Sequence, residues 1–90
     1  MKSLKPSHRE HKRYLLVSGK DASKENIEEA ILKFVGILGY AKASPAMLKS
    51  SQKGVVLSIN RSELEKIRAA IMLFGKDMRV TKVSGMINGL

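Results

Sequence analysis

Arg9-Glu10-His11-Lys12-Arg13-Tyr14-Leu15-Leu16-Val17 decides how this chain of 90 residues is organised. Its first half is basic. Its second half is a short apolar run of strand-forming residues, too brief for a helix and apolar at consecutive positions, as in a strand buried on both faces. A charged arm therefore feeds directly into a central strand, expected over 12–18. A basic surface anchored at a sheet end is suited to gripping an anion.

The second central strand is expected at Val55-Val56-Leu57-Ser58-Ile59, the clearest strand in the chain. Between the two strands Ser23 can cap a helix. Glu25, Glu28 and Glu29 lie towards its positive end. Ile27, Ala30, Ile31, Phe34, Val35 and Leu38 recur at three- and four-residue steps, and Gly39 is the expected stop. A further strand is expected within 41–50. Pro45 falls in that range and marks it as an edge strand, because proline cannot donate to a ladder. Ser51-Gln52-Lys53-Gly54 reads as the hairpin loop into the next strand.

A second helix follows, with Ser62 and Glu65 spaced as a capping box. Leu64, Ile67, Ala70, Ile71 and Phe74 are its inward stripe, and Gly75 its end. The last strand is expected at 78–83. The order is β-α-β-β-α-β, an α+β ferredoxin-like fold with a four-stranded antiparallel sheet and two helices on one face. The other sheet face is expected to be open and partly apolar, available to a partner. One domain is expected over 1–90: a basic arm at 1–11, a core at 12–84 and a short tail at 85–90.

Charge narrows the partners. The net charge is +9. Residues 1–13 contribute five basic side chains against one acid, and residues 40–61 carry Lys42, Lys49, Lys53 and Arg61 with no acid. Such polarity is the electrostatic footprint of a nucleic-acid binder. The plainer alternative is a solvated surface rich in lysine. There is no cysteine, hence no disulfide and no thiolate metal site. Neither a signal peptide nor a membrane-spanning run is readable, and a cytoplasmic protein is expected.

Little points to catalysis. His8 and His11 lie three apart but lack a third ligand. No Ser-His-Asp set, phosphate-cradling glycine loop or carboxylate pair is readable. Asn60-Arg61 is the one adjacent pair that an acylphosphatase-like hydrolase could use. Base stacking on the sheet is also disfavoured, since Tyr14 is the only aromatic on a central strand. Contacts from Arg9, Lys12, Arg13, Lys42 and Arg61 to the phosphates of a folded RNA fit the residues better.

Several segments, in order, resemble one family. They are Arg9 to Tyr14, Gly39-Tyr40-Ala41-Lys42-Ala43, Gly54 to Arg61, Ile67-Arg68-Ala69-Ala70-Ile71 and Val83-Ser84-Gly85-Met86-Ile87. Together they look like archaeal ribonuclease P protein component 2, relatives of the eukaryotic Pop-five subunit. The turn Gly19-Lys20-Asp21 is shorter than is usual there, and the C-terminal tail is brief. The resemblance implies an accessory subunit of the ribonucleoprotein that removes the 5′ leader of precursor tRNA. Chemistry would belong to the RNA, with magnesium for the RNA-catalysed reaction and no cofactor on this chain. Protein component 3 and the ribonuclease P RNA would be its partners in a hetero-oligomer, meeting precursor tRNA indirectly. The other readings are the small hydrolase and another structural RNA-binding protein of the translation machinery.

Overall fold

The computed structural model describes residues 11–86. The elements run β1 (Lys12–Ser18), α1 (Lys24–Ala43), β2 (Ala46–Ser51), β3 (Gly54–Asn60), a 3-10 turn (Arg61–Glu63), α2 (Leu64–Leu73) and β4 (Arg79–Ser84). The sheet is antiparallel in the order β2-β3-β1-β4, the α+β ferredoxin-like arrangement. The two most apolar strands take the centre, where both ladders of hydrogen bonds exclude water.

β1 and β3 pair with Leu15 opposite Leu57 and Val17 opposite Val55. Period-two alternation puts these four on one face. Ile59 joins them there, under Ile27, Ala30 and Ile31 of α1 and Ile67 and Ile71 of α2. Both helices therefore cover the same side of the sheet. The two chain reversals at one sheet end are tied together. Asp21 N–H donates to the Asp77 carbonyl at 2.9 Å, and Asp77 N–H donates to Asp21 Oδ2 at 2.9 Å.

α1 departs from expectation. Ser23 caps it, its hydroxyl accepting from Asn26 N–H at 3.1 Å. The helix does not stop at Gly39, however; it runs on to Ala43, and Ser44 closes it in the left-handed conformation at φ 47°. The break comes earlier, at Gly36, with φ 73° and ψ −178°. Glycine enters that region without the Cβ clash other residues meet. One non-helical residue resets the phase of the turns after it. Before the break Ile27, Ala30 and Ile31 are fully buried; beyond it Tyr40 and Ala43 face the core instead. Leu38, expected on the buried stripe, is 82% exposed, and Phe34 is exposed as well. Gly39 has a different role: a Cβ there would lie 2.6 Å from Val35 Cβ. Burial raises the Tyr40 phenol above its ordinary pKa, aided by the nearby Glu28 carboxylate at 3.5 Å.

Pro45 stands just before β2 rather than within it, directly after the left-handed Ser44. β2 is an edge strand, as its proline neighbour suggested, and its pairing with β3 slips between Met47 and Lys49. The Ser62–Glu65 capping box does not form. The chain leaves β3 through the 3-10 turn, α2 starts without a side-chain cap, and the Ser62 hydroxyl donates to Glu63 Oε2 at 3.3 Å. Glu63 itself is buried and pairs with Lys66 Nζ at 3.3 Å. α2 ends as expected, with Gly75 at φ 88° just past Phe74.

The second sheet face also differs from expectation. One row across it reads Lys49, Val56, Leu16, Lys82, and Val56 is only 6% exposed. The next row is Ala46, Ser58, Tyr14, Ser84. An apolar centre already removed from water, flanked by exposed lysines, is not an exposed apolar docking face. Within the helices and strands the most exposed large apolar side chains are on the helices: Ile37, Leu38, Met72 and Leu73.

Candidate nucleic-acid interface

The antiparallel register sets the start of β1 beside the end of β3, with Lys12 opposite Asn60. The backbone fixes the join, since Arg61 N–H donates to the His11 carbonyl at 2.7 Å. Lys12 Nζ then donates to Asn60 Oδ1 at 2.6 Å. The amide nitrogen of Asn60 donates in turn to the Lys42 carbonyl at 2.7 Å, in the last turn of α1. One asparagine thus ties together three segments, each carrying a cation: Lys12 from β1, Lys42 from α1 and Arg61 from the 3-10 turn.

Among the described residues these cations take part in no ion pair, and neither does Arg13; the ion pairs there involve Lys66, Arg68 and Arg79. Lys42 and Arg61 are exposed, while Lys12 and Arg13 are half-buried. Carbonyl and amide oxygens take up only part of the donor capacity of Lys12. A phosphate arriving at this corner would meet charge held on the backbone of three elements, which lowers the entropy lost on binding. Arg13 belongs to the same end but faces another way. Its Nη1 donates to the Lys12 carbonyl at 3.1 Å and reaches the space a side chain at Gly85 would occupy. Arg9 lies outside the described residues, as does His8.

The register makes Asn60 the organising residue, which sequence reading passed over except as a hydrolase candidate. Both ends of its side-chain amide are engaged, the oxygen by Lys12 and one N–H by the Lys42 carbonyl. A second basic group was also missed. At the opposite end of the sheet Lys53, Arg79 and Lys82 line a groove with Ser18 and Thr81. The Ser18 hydroxyl is held by the Lys53 carbonyl at 2.6 Å and lies 3.1 Å from Thr81 Oγ1. The topology carries the signal, because the end of β1 and the starts of β3 and β4 must meet in this fold. A seven-residue β1 separates the two groups by about 20 Å, a span over which several phosphates of one RNA strand can be contacted. Among the described residues no three His, Asp or Glu side chains converge as a metal site would require, and no helix is long and apolar enough to cross a membrane.

Three curated proteins are similar to this chain, all of them ribonuclease P protein component 2. The protein from Thermococcus gammatolerans is 35% identical, over 93% of this chain and 72% of its own length. Those from Methanococcus maripaludis and Methanococcus vannielii are 26% and 29% identical, over 84% and 88% of this chain and 64% and 66% of their own lengths. No family model matches the chain. The likeness runs across nearly the whole sequence and includes both strands that build the Asn60 corner: the chain belongs to the ribonuclease P protein component 2 family.

Proposed function

We propose that this chain is a non-catalytic, RNA-binding subunit of ribonuclease P, which assists the catalytic RNA in removing the 5′ leader from precursor tRNA. The observation that carries the reading is that Asn60 joins the segments bearing Lys12, Lys42 and Arg61, none of which is in an ion pair among the described residues. Cations fixed to three backbone segments serve contact with the RNA backbone, which positions a protein without reading sequence. Lys49 and Lys82 on the sheet, with Lys53 and Arg79 beyond them, extend the positive surface. In this reading the chain works in the cytoplasm as part of a hetero-oligomer with protein component 3 and the ribonuclease P RNA. The magnesium belongs to the RNA.

Reconstitution tests this. The ribonuclease P RNA assembled with its other protein subunits should cleave precursor tRNA faster, or at lower magnesium, when this chain is added. The chain alone should cleave none. No gain on addition, or turnover by the repurified chain alone, would defeat the proposal.

A further inference from the structure

A groove of about 800 Å³ runs between the second half of α1 and α2, well away from the sheet. Its walls are Phe34 and Leu38 on one side and Ala69 and Leu73 on the other. Leu38 is 82% exposed, Leu73 62% and Phe34 42%. Apolar side chains of this size, contiguous and facing water, mark an interaction site rather than scattered surface. Nucleic acid is a poor occupant of the walls, because Phe34, Leu38, Ala69 and Leu73 offer a phosphate no side-chain donor.

The charge around the groove selects among protein occupants. From Ala30 to Ser62 the chain holds no acidic residue. Lys42 and Lys66 line the groove, and Lys33 Nζ stands 5.8 Å from the Phe34 ring centre. The acid at the floor, Glu63, is already paired with Lys66. A second copy of the chain, itself carrying +9, would bring a like-charged rim against this one. We infer that the α1–α2 groove seats an acidic amphipathic helix of a partner protein. Its apolar stripe would lie between Leu38 and Leu73, with its carboxylates meeting Lys33 and Lys42, the helix-in-groove mode of recognition. The proposal shares Lys42 with the RNA reading but rests on the apolar walls Phe34, Leu38 and Leu73, which that reading does not use.

The test titrates the isotope-labelled full chain with short designed helices and follows its amide resonances. One helix carries a leucine stripe on a glutamate background. A second has the same composition in scrambled order, and a third replaces its glutamates with lysine. The striped acidic helix should bind at least about tenfold more tightly than the other two, with the largest shifts at Leu38, Gly39 and Leu73. Leu38→Ser and Leu73→Ser should each remove that preference while leaving RNA binding and the circular dichroism spectrum unchanged. Equal binding of the scrambled helix would reduce the effect to net charge and overturn the inference. So would shifts centred on Lys49 and Lys82, or sedimentation showing a dimer that Leu38→Ser dissolves.

Discussion

The two halves of α1 are built from the same residue types and meet opposite surroundings. Before Gly36, Ile27 and Ile31 are fully buried; after it, Ile37 and Leu38 stand in water. Hydropathy does not distinguish them. The difference lies in one backbone conformation, which rotates the second segment so that Tyr40 and Ala43 face the core and Ile37 and Leu38 face out. A buried stripe supplies stability. The same stripe turned outward supplies a surface, at the risk of aggregation when nothing covers it.

The sharpest way to break this comparison is to truncate one side chain in each half. Ile31→Ala should destabilise the fold by about 2–5 kcal/mol, through lost burial and the cavity left behind. Leu38→Ala should change it by no more than about 0.5 kcal/mol. Chemical denaturation of both variants checks this, and equal losses would mean that the second half is buried as the first is. A smaller effect sharpens the comparison at its far end. The second half of α1 is held by Asn60, which donates to the Lys42 carbonyl. Asn60→Ala should cost about 1 kcal/mol, and amide exchange should quicken at Ala43 and Ser44 while Ile27 to Ile31 stay protected. Uniform quickening along the whole helix would show that Asn60 acts on global stability alone.

What the sequence disclosed follows from which forces are local. β1 and β3 were legible because short, continuous apolar runs have few alternatives; β2 is the edge strand expected, although Pro45, the reason for expecting it, stands just before the strand. The end of α1 was not. Gly36 and Gly39 are both glycines within one helical pattern, and nothing local says which of them breaks it. A left-handed serine such as Ser44 is uncommon enough that no reading would choose it over Gly39. The capping box at Ser62 is not formed, because Ser62 lies inside the 3-10 turn and its hydroxyl goes to the neighbouring Glu63 instead. Of the candidate site, the charges were visible and their junction was not. Lys12 and Lys42 lie 48 and 18 residues from Asn60; the β1–β3 register brings the first to it and the end of α1 the second.

The central claim is that the corner around Asn60 contacts RNA phosphates. Its most direct test is the salt dependence of binding to ribonuclease P RNA, for the parent chain and for the triple variant Lys12→Ala, Lys42→Ala, Arg61→Ala. Each lost phosphate contact releases one fewer set of counterions. The slope of log affinity against log salt should therefore flatten by about two to three units, and affinity at low salt should fall with it. The core does not use these side chains, so the variant should keep its fold. A folded triple variant with the parent's affinity and slope would contradict the account, leaving the three cations as solvated surface.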